Sequence, residues 1–307
     1  TVIPAADSAP QPEGGVFVHL FEWRWADIEK ECTYLAEKGY SAVQVSPPNE
    51  HLVPTADQGG QQASDYPWWV RYQPVSHDAT KLDSRSGTLA EFQSMVQACN
   101  KLGVAIYVDA VINHMADMET GEPPTGTAGT EYESDMPGRF YGTAYIAADF
   151  HPDCPITSYL DRNQVQESML SSLPDLDTGA AKVQEQVRAY LQALLDMGVR
   201  GFRIDGAKHM AARDLAAILD GLALPDGGRP YIYTEVIDYD QNERVRDWEY
   251  TPYGDVSEFE YSITAMGGKF NCGGSLSDLE NMPGYNNMLP DRFVVVFTDN
   301  HDNQRGH

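Results

Sequence analysis

Short apolar runs and longer stretches of helical periodicity alternate along this chain. The run Val16-Phe17-Val18-His19-Leu20-Phe21 opens the series as a strand. Ile28, Cys32, Leu35 and Ala36 follow at helical spacing, and Gly39 marks where that helix stops. Ala42-Val43-Gln44-Val45 is the second strand. A second helix begins at Thr88, with Glu91 three residues on as a capping box, and carries Leu89, Phe92, Met95, Val96, Cys99 and Leu102 as far as Gly103. Val104 to Val108 reads as a buried strand, and Val183, Val187, Tyr190, Leu191, Leu194 and Leu195 form a longer helix ending at Gly198. Phe202 to Ile204, Tyr231 to Ile237, Val256 to Phe259 and Phe293 to Phe297 are further strands, with Leu215 to Leu219 on a helix between the first two. The last of them, Phe293 to Phe297, is expected to be buried on both faces.

Seven strands in β-α-β-α order predict parallel pairing through crossover helices. A doubly wound sheet and a (β/α)8 TIM barrel both satisfy that order. No GxGxxG opens a helix, which weakens the dinucleotide-binding version. Polar residues cluster after the C-terminal ends of several strands, as a barrel enzyme distributes its chemistry. One connection is abnormal. Residues 114–177 are rich in Gly, Pro, Asp and Thr without a clear helix, where ordinary βα loops have about 2–6 residues. The expected organisation is therefore a barrel over 1–113 and 178–307, with residues 114–177 as a subdomain inserted after the third strand. The loop from Pro47 to Ser86 is also long and holds Tyr66, Trp68, Trp69 and Tyr72. Those aromatics suit either a core patch or a platform that stacks on flat ligand faces.

Composition narrows the partners. The 307 residues carry a net charge of -25, with 42% hydrophobic and 22% charged residues. So acidic a surface repels polyphosphate and argues against nucleic acid and an anionic membrane surface. No apolar run approaches the ~18 residues needed to span a membrane. The start, TVIPAADSAP, has no initiator Met and no apolar signal core, which reads most simply as a processed chain, though a trimmed one would look the same. Cys32, Cys99, Cys154 and Cys272 show no CxxC spacing, so a zinc or redox pair is not expected, and an even count is compatible with disulfides in a secreted enzyme.

Four carboxylates fall where strands should exit: Asp109, Asp205, Glu235 and Asp302. Singly, each reads as a cap or a solvated loop residue. A barrel brings all strand ends to one rim, and crowded carboxylates push one another's pKa values apart, which serves acid/base work or cation binding. Arg203 beside them would keep one ionised. Glycoside hydrolysis uses such a set: one acid for the leaving oxygen and one carboxylate for the anomeric carbon, with aromatics on sugar faces.

The stretches HLFEWRW, VQVSPPNE, PWWVRYQPVS, IYVDAVINHM, GFRIDGAKHM, EVID and DNHDNQRGH together resemble the α-amylase family of glycoside hydrolases, in its animal-like, chloride-dependent subgroup, from about Val16 to His307. The resemblance implies an endo-acting, retaining hydrolase of α-1,4 bonds in starch and glycogen. It gives Asp205 as nucleophile, Glu235 as general acid/base and Asp302 as the third, transition-state carboxylate. Trp68, Trp69, Tyr72, Gln73, Asp109, His114, Arg203, Lys208, His209, Ile237 and His301 are implied to contact or orient sugar, which favours stacking for the aromatic loop. A structural Ca2+ is implied on Asn113, Asp175 (with Asp177 nearby) and the backbone carbonyls of Gln166 and His209. Chloride is implied on Arg203 and Asn300, a third, basic ligand of the subgroup falling beyond position 307. A Cys32–Cys99 disulfide is implied. Cys154 matches a paired cysteine whose partner position holds Ser168, and pairing it with Cys272 is only arithmetic.

The same resemblance implies an eighth strand and a β-sandwich domain that these residues do not include, so a truncated chain is expected. A secreted monomer acting on α-glucan is the resulting picture. Alternative readings are a related α-glucan transglycosylase or isomerase, which shares the three carboxylates, and a truncated fragment that binds sugar without cutting it.

Overall fold

The computed structural model describes residues 15–54, 67–117, 124–238, 243–262 and 288–302, with positions 274, 275, 277 and 280. Tyr66, Cys272 and Arg305 lie outside the described residues. The chain runs through β1 (Phe17–Leu20), α1 (Trp25–Lys38), β2 (Ala42–Val45), α2 (Leu89–Lys101) and β3 (Ala105–Ala110). Then come β4 (Tyr132–Glu133), β5 (Phe140–Tyr141), β6 (Tyr145–Ile146) and α3 (Arg162–Gln166). Finally α4 (Ala181–Asp196), β7 (Gly201–Ile204), α5 (Ala212–Leu219), β8 (Tyr231–Thr234), β9 (Asp255–Ser257) and β10 (Val294–Val295) follow. Strands β1, β2, β3, β7, β8, β9 and β10 pair in that order, all parallel, in a curled sheet of the TIM-barrel fold.

The helix boundaries follow local chemistry. Thr88 accepts from the Glu91 backbone N–H at 3.3 Å while Glu91 accepts from the Thr88 N–H at 2.8 Å, the reciprocal cap that starts α2. Gly39, at φ 83°, turns the chain out of α1 in a left-handed conformation that costs other residues a Cβ clash. α1 and α2 lie side by side and are joined by the Cys32–Cys99 disulfide. Their buried faces (Ile28, Leu35, Phe92, Met95, Val96) pack outside the sheet. Fully burying such a side chain contributes about 1.5–3 kcal/mol, so Phe92→Ala alone should cost about 3–5 kcal/mol.

Alternation along each strand divides the apolar residues into two cores. Val43, Val45, Ile106, Val108, Phe202, Ile204 and Val256 face the helices. Ala42, Tyr107, Tyr231 and Tyr233, with Phe17, Ala105 and Val295, fill the inside of the curl. Gly201 is needed there: a Cβ would stand 2.6 Å from the Tyr231 carbonyl and 2.9 Å from the Tyr107 ring. The inward positions are two residues apart, so each inward row continues upward to the C-terminal rim.

Two expectations change. Residues 114–177 do contain a helix, the five-residue α3, too short to show periodicity. They also hold the antiparallel β4-β5-β6 sheet; the bridge His114↔Asp175 closes the two ends of the insertion, and the Leu176 N–H donates to the Asn113 carbonyl at 3.0 Å. The 293–297 run, expected to be buried on both faces, forms only a two-residue strand with half-buried Val294 and Val295, and Val296 is 53% exposed. β10 pairs with β9 alone among the described residues, so one edge and much of its surface lack cover. The Tyr231–Ile237 run likewise leaves the ladder after Thr234, which frees Glu235 to turn over the rim.

Candidate active site

The inward rows end in charge. Tyr107 leads to Asp109 on β3, Gly201 to Arg203 on β7 and then to Asp205 just past its end, and Tyr231 and Tyr233 on β8 to Glu235 just past its end. Arg203, with a 5% exposed side chain, holds the group together. Its Nη1 donates to Asp109 Oδ1 at 2.6 Å and to Asp205 Oδ1 at 2.9 Å, and its Nη2 donates to Glu235 Oε1 at 2.5 Å. The Gly206 backbone N–H donates to Glu235 Oε2 at 2.9 Å, and the Tyr72 hydroxyl to Asp109 Oδ2 at 2.9 Å.

One guanidinium cannot neutralise three carboxylates. Burial and then the charge of Glu235 push Asp205 well above the usual carboxylate range, against the pull of Arg203. Burial raises Asp109 too, opposed by Arg203. Asp302 is pushed up to about 6 by burial and by Glu235. Asp109, Asp205 and Glu235 therefore compete for one buried counter-charge.

The expected sugar-contact residues surround this group. His301 is 4% exposed and lies between two parallel rings, Tyr72 at 5.1 Å and 10° and Phe21 at 5.0 Å and 20°. Trp68 meets Tyr72 and His301 edge-on at 5.7 and 5.6 Å, whereas Trp69 packs half-buried against the core. Tyr72 therefore offers at most one ring face to a ligand. Asp302 is beside His301, with His301 Nε2 3.3 Å from Asp302 Oδ1. His114 is bound through Nε2 to the Tyr72 carbonyl at 2.9 Å and kept neutral, its pKa lowered to about 4 by burial. Gln73 Oε1 accepts from the Asp117 N–H at 3.0 Å, on the insertion side. Lys208 Nζ donates to the Ile237 carbonyl at 2.5 Å and pairs with Glu243, and His209 Nδ1 lies 2.9 Å from the Val165 carbonyl.

Several neighbours escaped sequence reasoning. His19 is the inward continuation of Phe17 on β1 and meets His301 edge-on at 5.7 Å, so period-2 counting could have found it. Burial and the charge of Arg203 lower its pKa to about 3. Tyr159, 40% exposed, lies under Lys208 Nζ at 4.7 Å to the ring centroid, and Glu243 pairs with that lysine. Both sit in connections whose sequence carries no periodic signal.

The residues expected to hold Ca2+ fall into two pairs. Asn113 Nδ2 donates to Asp175 Oδ1 at 3.2 Å, while Asn113 Oδ1 is buried with no hydrogen-bond partner among the described residues. Asp175 is also bound by His151 Nδ1 at 2.7 Å, and burial raises it to about 6. Gln166 donates to the Met210 carbonyl at 3.4 Å, which brings the end of α3 against the turn bearing His209. Among the described residues no group of three or more His, Cys, Asp or Glu gathers as a metal cluster. An orphaned amide oxygen, one buried carboxylate and two carbonyls still suit a hard cation. Chloride fits less well. Arg203 gives both terminal nitrogens to carboxylates and the Asn300 amide donates to Asp302 Oδ2 at 3.2 Å. Cys154 is free and exposed, its sulfur 3.1 Å from the Ser168 hydroxyl.

A curled parallel sheet with acidic groups around one arginine at its C-terminal rim defines a catalytic domain of the TIM-barrel type. The sequence model of that class described as "Alpha amylase, catalytic domain" matches residues 25–221, and the chain belongs to the α-amylase family. An alpha-amylase of Tribolium castaneum is 44% identical over 297 residues, 94% of this chain and 57% of that protein. An alpha-amylase-related protein of Drosophila dossoui is 43% identical over 94% of this chain and 57% of its own length. A crystal structure of a mutant alpha-amylase I of Eisenia fetida with maltohexaose superposes with a TM-score of 0.87 at 42% identity, over 98% of this chain and 61% of that one. An alpha-amylase of Geobacillus thermoleovorans complexed with acarbose shares the fold, with a TM-score of 0.67 at 17% identity. The chain thus spans 57% of the length of these curated relatives.

Proposed function

We propose that this chain carries the catalytic centre of an endo-acting α-amylase, which hydrolyses internal α-1,4-glucosidic bonds of starch and glycogen with retention of configuration. The observation that carries the reading is Arg203 bound at once to Asp205 and Glu235, which supports a paired nucleophile and acid. The relative crystallised with maltohexaose supports an oligosaccharide ligand.

In the first step an Asp205 carboxylate oxygen attacks the anomeric carbon while the bond to the leaving O4 breaks. Glu235 gives its proton to that oxygen. In the second step Glu235 takes a proton from water, the water oxygen bonds to the anomeric carbon, and Asp205 departs. Asp302, beside His301, supplies negative charge to the cation-like transition state. Asp109 orients Arg203, and Tyr72 orients Asp109.

A Ca2+ ion bound by Asn113, Asp175 and the carbonyls of Gln166 and His209 would fasten the insertion to the barrel and hold the rim in shape. The Cys32–Cys99 disulfide fits an oxidising, secretory route. The test is product analysis on soluble starch with the whole protein. Short maltooligosaccharides with rapid loss of iodine staining are expected. Transfer products without new reducing ends would replace the hydrolase reading by a transglycosylase.

A further inference from the structure

The segment that carries Glu235 leaves β8 and reaches Asp238 three residues later. The Asp238 side chain is 1% exposed. Its Oδ2 accepts from Arg246 Nε at 2.6 Å, and its Oδ1 is buried without a hydrogen-bond partner among the described residues. A carboxylate in that state is costly, and removing its cation would leave an uncompensated buried charge.

Arg246 is itself held. Its backbone N–H donates to Glu249 Oε1 at 2.9 Å. Glu249 receives a two-pronged bond from Arg162 on α3, with both contacts at 2.8 Å. Next along, the fully buried Tyr250 donates its hydroxyl to the Met210 carbonyl at 2.6 Å. The stretch 244–250 is therefore fastened both to the inserted segment and to the turn that follows Asp205. On its other side the Glu235 segment is held by Lys208, whose backbone N–H donates to the Glu235 carbonyl at 3.4 Å and whose Nζ donates to the Ile237 carbonyl at 2.5 Å.

We propose that Arg246 is a positioning residue for the acid/base. Through Asp238 it fixes the segment bearing Glu235, so that the carboxyl group stays aimed at the leaving oxygen. This inference rests on the reading of Glu235 as the proton donor. A displaced acid loses proton transfer, whereas Asp205 lies outside this segment and keeps its own bond to Arg203 Nη1. The penalty should therefore depend on how much proton the leaving group needs.

The test compares Arg246→Ala, Arg246→Lys and Asp238→Asn in the whole protein, on a maltooligosaccharide and on an aryl maltoside whose acidic phenol departs unaided. The quantity read is kcat/KM, which reports the first chemical step. Arg246→Ala should lower it at least about tenfold on the maltooligosaccharide and less than about threefold on the aryl substrate, with the lysine variant recovering most of the loss. An equal loss on both substrates, or no loss on either, overturns the proposal. If Arg246→Ala does not fold, the lysine and asparagine variants carry the same comparison. An unmodified protein that cuts neither substrate refutes the assignment of Glu235 and this inference with it. A fully active protein whose variants lose both activities equally refutes only the role of Arg246.

Discussion

Asp109 and Arg203 are register partners on neighbouring parallel strands, and their side chains meet at 2.6 Å inside the sheet. The contact follows from strand pairing, because both residues continue inward-facing rows. It also leaves Arg203 as the counter-charge shared by Asp109, Asp205 and Glu235. Arg203→Ala strands these buried carboxylates. It should cost about 3–5 kcal/mol in urea unfolding and lower kcat/KM at least ~100-fold. Arg203→Lys keeps the charge but not the two-nitrogen span, and should fall between.

Asp205→Asn preserves shape and a hydrogen-bond acceptor for Arg203 but removes the proposed nucleophile. Starch hydrolysis should drop by about four orders of magnitude or more with the melting temperature nearly unchanged, read by reducing-end release and calorimetry. Activity within tenfold of the unmodified protein would end the assignment.

Burial, then the charge of Glu235, raises Asp302 to about 6 from its usual 3.8. The folded protein thus holds this proton more tightly than the unfolded chain. The contribution to stability is full below about 4 and is lost as pH rises through about 6. Activity should run the other way, because the proposed mechanism uses the Asp302 anion in the transition state. The pH profile of kcat/KM should show an acid limb near 6, and a profile flat down to pH ~4.5 would contradict this role.

Chelation should separate the metal proposal from the catalytic one. Removing Ca2+ with EDTA should lower the melting temperature by several degrees, as expected for a ligand bound only by the native state, with recovery on adding Ca2+. Asp175→Ala should melt low and no longer respond to chelator. A melting curve that EDTA leaves unmoved would remove the ion from the account.

The Cys32–Cys99 bridge closes a separation of 67 residues between α1 and α2. The double Cys→Ser variant should lose about 2–4 kcal/mol, read as a lower urea midpoint, and keep its specific activity at low temperature. Reduction that changes activity and leaves stability intact would place the bridge's role elsewhere.

Much of this was legible in advance because the relevant signals are local or periodic. The Thr88–Glu91 cap, the stop at Gly39 and the alternation on β3, β7 and β8 each depend on residues within one turn or one strand. Asp109, Asp205 and Glu235 could be placed at a rim because parallel strands share one C-terminal end. His19 was within reach of the same counting. Arg246, Tyr159 and His151 were not, since each gains its meaning from a contact with a distant connection: Asp238 for Arg246, Lys208 for Tyr159, Asp175 for His151.

The sequence by itself determined the element order, the parallel pairing and which end of the strands would carry the chemistry, because parallel strands joined by crossover helices all exit on one rim. Only the tertiary structure decided which groups touch. It put Asp109, Asp205 and Glu235 on one guanidinium, closed His301 between Tyr72 and Phe21, and left the apolar 293–297 run half uncovered at the edge of the sheet. Hydrogen bonding, ring stacking and burial depend on distance in space, and separation along the chain does not report it.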